Sequence, residues 1–93
     1  MKGGEDLGYS ESKDKLLKFL EYGNVKEKGG SLQFSLFSYN GGPPKLQIVR
    51  SFLKKDETIG YGKAGRLSLE ELKFLIENSD KFFEFKNDSN QNT

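Results

Sequence analysis

The stretch Gly60–Glu71 reads GYGKAGRLSLEE and carries two signals that point to different folds. Gly60, Gly62 and Gly65 spell G-x-G-x-x-G, the spacing with which a βαβ unit holds a pyrophosphate against a helix N-terminus. Ser68-Leu69-Glu70-Glu71 spells a capping box: the Ser68 hydroxyl accepts from the Glu71 amide, and the Glu71 carboxylate accepts from the Ser68 amide. A box at Ser68 starts the helix after all three glycines, so its free amides face Arg66 and Leu67 rather than a ligand at Gly60. No second β-α unit follows, and Asp80, at about the spacing of a ribose contact, falls at a helix end. The glycines are then backbone allowances for left-handed torsions and close approach. The box decides the fold: strands precede it and one helix follows.

Downstream, Leu69, Leu72, Leu75 and Ile76 form an apolar stripe suited to covering a sheet. Leu67 and Leu72 stand where a hydrophobic staple would, and Glu70 and Glu71 suit the positive end of the helix dipole. Asn78-Ser79-Asp80 is expected to fray or end the helix. Phe82, Phe83 and Phe85 are too apolar for a free tail and should pack on the sheet or on a partner chain.

Upstream, GGSLQFSLFSYN alternates through Leu32, Phe34 and Leu36, and KLQIVRSFLKK alternates through Leu46 and Ile48. The loop Asn40–Pro44 between them predicts an antiparallel hairpin, with both prolines outside the paired strands. Phe37 and Tyr39 fall on the parity opposite to Phe34 and Leu36, which calls for strong twist or a bulge. Asp56-Glu57 marks a further turn, and Thr58–Tyr61 can begin another strand. Residues 14–28 fit two patterns. Leu16, Leu17 and Leu20 have helical spacing, Leu17, Phe19 and Val25 alternate irregularly, and the periodicity alone favours helix. Residues 1–10 and the polar tail 87–93 are expected to be disordered, leaving 11–86 as the folded domain.

Ninety-three residues with 33% apolar content make one small domain. A chain of this size buries only about 60% of its unfolded surface, and a second copy is an economical way to complete the core, so a homodimer is expected. The chain has no His and no Cys, which removes the imidazole base, the thiolate nucleophile and the transition-metal cluster. The carboxylate pairs Asp56-Glu57 and Glu70-Glu71 serve a turn and a cap. No catalytic residue, metal or cofactor is therefore expected, and the chain does not read as an enzyme. MKGGEDLGYS lacks the apolar run of a signal peptide and no segment is apolar enough to span a bilayer, which points to the cytoplasm, or to the nucleus of a eukaryote.

The net charge is only +1, but residues 29–69 carry six cations against two acids. These cations interleave with aromatic residues on the expected strands. Tyr39, Lys45, Arg50, Phe52, Lys54, Lys55, Tyr61, Lys63 and Arg66 are the candidate nucleic-acid-binding residues, with Phe37 beside them. Cations follow phosphates while rings stack on unpaired bases. The competing reading is core packing for Phe37 and Phe52, an internal salt bridge for Arg50, and simple solvation for the lysines.

Ile48-Val49-Arg50-Ser51-Phe52, a short turn, and then Gly62-Lys63-Ala64-Gly65-Arg66-Leu67-Ser68-Leu69 together resemble the positive cofactor 4 family of transcriptional coactivators. The likeness covers roughly residues 17–80, and the short, divergent chain looks like the members found in tailed bacteriophages. The resemblance implies an α+β fold: a curved four-stranded antiparallel sheet and a C-terminal helix, assembled as a homodimer. It makes residues 17–28 the first strand. It implies binding of single-stranded DNA and melted duplex with little sequence preference, in replication, recombination or transcription, with proteins of those processes as further partners. By position Tyr39 matches a stacking aromatic, and Arg50, Lys63 and Arg66 match backbone-binding positions. The second stacking aromatic falls on Leu53, one residue after Phe52. Leu69, Leu72, Leu75, Ile76, Phe82 and Phe83 are assigned to the core or the dimer contact. The alternative is a protein-interaction module that recruits a partner through a sheet edge and the Phe82-Phe83-Phe85 cluster.

Overall fold

The computed structural model describes residues 11–85. A single 3-10 turn, Glu11–Lys13, leads into β1 (Asp14–Gly23), β2 (Ser31–Tyr39), β3 (Lys45–Leu53), β4 (Ile59–Lys63) and a C-terminal helix α1 (Leu69–Phe83). The strands form one antiparallel sheet in the order β1-β2-β3-β4. The chain is thus α+β, a four-stranded meander followed by one helix. The segments 1–10 and 87–93, expected to be disordered, lie outside the described residues.

The first element corrects the helical preference of its periodicity. Residues 14–23 pair with β2 from Asp14↔Tyr39 to Gly23↔Ser31, with a register shift between Leu16 and Lys18. That shift is a bulge at Leu17, and it explains the misleading spacing. An extra residue reverses the side-chain parity, so Leu17 and Leu20, three apart, both reach the core, as they would on a helix. The strand also starts earlier than Leu17 and stops at Gly23, short of Lys28. Beyond it, the Asn24 side chain accepts from the Lys26 amide, and Glu27 and Gly30 close successive turns.

In β2 and β3 the parity change needs no bulge. Their register runs unbroken from Ser31↔Ser51 to Phe37↔Lys45, and the two faces of the sheet simply carry different apolar residues. The connection between them is a tight turn in which Asn40 and Gly41 both have positive φ, 52° and 74°. The Gly42 amide donates to the Tyr39 carbonyl at 2.8 Å. Asn-Gly is the pair that tolerates such torsions and matches strand twist. Pro43 and Pro44 then lead into β3 without breaking the ladder.

The helix opens as the box predicts. Ser68 Oγ accepts from the Glu71 amide at 3.1 Å, and Glu71 Oε1 accepts from the Ser68 amide at 2.9 Å. It does not end at Asn78-Ser79-Asp80. Asn78 Nδ2 donates to the Phe74 carbonyl, Ser79 Oγ to the Ile76 carbonyl, and Lys81 Nζ to Asn78 Oδ1. Their polar groups thus bond within the helix rather than stopping it. Poor helix propensity costs about 0.5 kcal/mol per residue here, whereas burying Phe82 contributes about 2–3 kcal/mol. Burial of the ring prevails, and the helix continues to Phe83.

The core is Leu32, Phe34 and Leu36 of β2 against Phe82 of α1. Phe74 packs on Tyr22 and Phe34 with ring centroids 5.1 and 5.7 Å apart, and Phe82 lies 6.5 Å from Phe34. The sheet-facing side of the helix is therefore Glu71, Phe74, Leu75 and Phe82. The stripe expected to cover the sheet does so only through Leu75; Leu69, Leu72 and Ile76 are exposed, as is Phe83. Turning Glu71 inward to meet β3 rotates these residues onto a flank of the helix. Since Phe74 leans towards β1, that flank, roughly opposite it at 100° per residue, turns away from β1.

Candidate nucleic-acid interface

The register sorts every strand residue onto one of two faces, because partners across a ladder share a side. Under the helix lie Leu20, Tyr22, Leu32, Phe34, Leu36, Ile48 and Arg50, joined by Leu46, Phe52, Gly60 and Gly62. The opposite, helix-free face has four successive rows that start on β1, the first two reaching β4 and the other two ending on β3. They are Gly23–Ser31–Ser51–Tyr61, Glu21–Gln33–Val49–Lys63, Phe19–Ser35–Gln47 and Leu16–Phe37–Lys45, with Asp14–Tyr39 beyond.

Tyr39, Lys45, Tyr61 and Lys63 therefore share the open face. Phe37, Tyr39 and Lys45 line a shallow depression of about 530 Å³ together with Asp14 and Pro43. Tyr61 is 62% exposed at the other end of the face. Rows on one face are about 7 Å apart, roughly twice the 3.4 Å axial spacing per phosphate of a stacked strand. A nucleic acid that placed one nucleotide on each row would be stretched and unstacked, as a single strand can be and a duplex cannot.

Five of the expected contacts lie elsewhere, Arg50 among them. Phe52 points to the helix side of the sheet, where its ring lies across Gly60 and Gly62; a Cβ on Gly60 would stand 2.6 Å from Phe52 Cε1, and one on Gly62 would stand 3.7 Å from Cε2. Lys54 lies alongside, its Cε 3.0 Å from the same Gly60 position. Lys55 is at the β3–β4 turn, where Asp56 accepts from both the amide and the hydroxyl of Thr58. The Thr58 hydroxyl bond is the main cause that lowers the Asp56 pKa. Arg66 lies in the exposed β4–α1 loop, beside a broad hollow that also reaches Lys28 and Glu70.

The glycine spacing is also resolved. Gly60 and Gly62 are inside β4, and only Gly65 of the three has a left-handed φ. The three do not form one loop, and the helix begins after them.

Arg50 is the main correction to the expected set. Its Nε donates to the Ala64 carbonyl, its Nη1 to the Gly29 carbonyl and to Glu71 Oε2 at 2.8 Å, and its Nη2 to the Arg66 carbonyl and to Glu71 Oε1 at 3.1 Å. A guanidinium has five N–H donors, and all five are used within the chain. Arg50 joins β3 to the β1–β2 loop, the β4–α1 loop and the helix cap. It offers no donor to a phosphate. The hydrogen bonds from Arg50 hold the Glu71 carboxyl below its ordinary range, with the Ser68 amide adding to the effect and burial opposing it. The same bond raises Arg50.

Sequence reasoning missed Phe19. It lies on the open face, opposite Ser35 and 43% exposed. Periodicity alone favoured a helix here, and although the resemblance made residues 17–28 a strand, it gave neither the bulge nor the register that bring Phe19 beside Phe37; the only signal in the residues was the irregular alternation Leu17, Phe19, Val25. Glu21 was missed for the same reason. Its Oε2 accepts from the Ser31 hydroxyl at 2.6 Å and from Gln33 Nε2 at 3.3 Å, and Ser51 Oγ completes the chain by donating to Ser31 Oγ.

Among the described residues, no group of three or more His, Cys, Asp or Glu is placed to hold a metal ion, and no helix is long and apolar enough to cross a membrane. No family model matches the chain, and no curated protein or solved structure matches it significantly.

Proposed function

We propose that this protein is a homodimeric, largely sequence-independent single-stranded DNA-binding protein serving replication, recombination or transcription. One observation carries the reading. Eleven large apolar side chains are exposed among the described residues, and they divide between two surfaces of different chemistry. Leu16, Phe19, Leu53, Ile59 and Tyr61 belong to the open face, interspersed with Lys45 and Lys63. Leu46, Phe52, Leu69, Leu72, Ile76 and Phe83 belong to the helix side.

Rings among cations suit unpaired bases and phosphates. An apolar flank with residues spaced three, four and seven apart along α1 suits a second helix of the same kind, since that is the seam spacing of paired helices. Four buried apolar residues are a small core for the described chain, and a partner copy would enlarge it. The likeness to the positive cofactor 4 family supports the same assignment. In that comparison Leu53 occupies the place of the second stacking ring, and Tyr61, diagonally across from it on β4, supplies an aromatic on the same face. Phe52, on the other face, goes with the dimer contact.

Recruitment of a protein through the Phe82-Phe83-Phe85 cluster is less well supported. Phe82 is buried and Phe85 packs on the core, leaving only Phe83 outside.

Fluorescence anisotropy with labelled oligonucleotides of about 20 bases tests the function. Two to four cations engaged per protomer give a slope of log K against log salt of roughly −1.5 to −3. Absence of binding at low salt would end the proposal; equal affinity for duplex would remove its single-strand character.

A further inference from the structure

Charge on the open face is sorted by strand. Its lysines, Lys45 and Lys63, are on β3 and β4, whereas its carboxylates, Asp14 and Glu21, are on β1. A phosphate lying over β1 would meet the Glu21 carboxylate, which Ser31 and Gln33 hold in place. A phosphate over β3 or β4 meets cations instead. Two strand spacings, about 10 Å, separate β1 from β3, a distance that one nucleotide bridges from phosphate to the far edge of its base. Base amino groups can donate to a carboxylate that repels phosphate.

The ring waiting at the β1 end is Phe19. Ser35, its small partner on β2, leaves space beside it, and Phe37 stands at the diagonal position, about 7–8 Å away by sheet geometry. Phe19 and Phe37 thus belong to neighbouring rows of the same face, with Ser35 opposite Phe19. Phe19 lies away from the helix-covered core, on the opposite face of the sheet, and remains exposed. We propose that Phe19 is a base-stacking residue, and that the bound strand runs with its phosphates along β3 and β4 and its bases directed towards β1. This rests on the single-stranded DNA reading above and fixes how the strand lies on that face.

The chain contains no tryptophan, so Phe19→Trp introduces a single indole at the position in question. Titration of the full-length F19W protein with an oligothymidine of about 20 bases should quench its emission while binding is retained. Phe19→Leu, which keeps the apolar bulk but not the flat ring, should weaken binding by about 5- to 150-fold. Its salt slope should stay unchanged, since no cation is lost. Unchanged emission from bound F19W, or wild-type affinity in F19L, overturns the proposal. Wild-type protein and Tyr39→Ala are measured alongside. If the wild type does not bind, the functional reading itself falls; if Tyr39→Ala weakens binding and F19L does not, only the role of Phe19 does.

Discussion

Arg50 separates two accounts of this chain, because the family likeness makes it a phosphate ligand and the fold makes it a clamp. Consider Arg50→Met, which keeps length and apolar stem but removes all five donors. Glu71 is left without its ion partner, with its side chain only 12% exposed, and the carbonyls of Gly29, Ala64 and Arg66 lose a donor. Breaking a fully buried pair costs about 3–5 kcal/mol. Here the arginine side chain is 21% exposed and water can partly replace it, so about 2–3 kcal/mol is the better figure. For a domain of 60–100 residues each kcal/mol moves Tm by about 4–8 °C, giving a fall of roughly 8–24 °C. Thermal melts followed by circular dichroism measure it. Arg50→Lys sharpens the test, since it preserves the charge a ligand needs but cannot reach five acceptors; the clamp requires that it too be destabilised. Glu71→Gln retains a capping-box residue, so the cycle with R50M should give a coupling of about 1–3 kcal/mol. The reasoning is refuted if R50M melts with the wild type and instead loses about 0.7 from its salt slope.

Three further outcomes follow from the same geometry. Ile76→Glu alters a side chain 63% exposed in the single chain, so the protomer should stay folded. Lost burial on both copies, about 3 kcal/mol with the charge penalty added on top, should raise the dimer dissociation constant more than about 100-fold, as read by sedimentation equilibrium; unchanged association would exclude the helix flank from the contact. Acid should destabilise the protein through Glu71. Its folded pKa is depressed, so its contribution is present above the unfolded value of about 4.3 and is lost as pH falls through the folded one. Urea titrations from pH 6 downwards should therefore show stability falling below about pH 4–5, with a shallower fall in R50M; a parallel fall would detach the effect from the clamp. Tyr39→Ala should lose about 1–3 kcal/mol of single-strand affinity with its salt slope intact, whereas Lys63→Gln should lower that slope by about 0.7; the reverse pattern would contradict the assignment of ring and cation.

Much of the fold could be read from local chemistry. The capping box located the helix start because its two hydrogen bonds lie within four residues and owe little to the rest of the chain. The hairpin of β2 and β3 was legible because Leu32, Phe34 and Leu36 alternate and Asn40-Gly41 favours one kind of turn. What escaped depended on partners distant in sequence. The bulge at Leu17 exists only in register with β2, and without it the leucines of β1 imitate a helix. The rotation of α1 is set by Arg50 reaching Glu71 across twenty-one positions of sequence, so the exposed stripe could not be told from the buried one. The candidate site was legible in part for the same reason. Residue types named Tyr39, Lys45, Tyr61 and Lys63, but only register separates them from Phe52 and brings Phe19 among them.

The separation of faces has a thermodynamic consequence for the proposed function. A strand residue shows its side chain to one face only, so a ring at position 52 and a ring at position 53 would serve different partners although they are neighbours in sequence. In this chain Phe52 lies on the helix side of the sheet, while Leu53, Ile59 and Tyr61 lie with the lysines. Pairing two copies through the flank therefore leaves both open faces accessible. In the proposed dimer each face would engage the same strand, the second contact forming at an effective concentration set by the first, in the millimolar range for short flexible tethers. Long single strands would then gain affinity from dimerisation that short ones cannot. A protein with few cations per protomer could hold a long strand tightly while each individual contact remained weak and salt-sensitive.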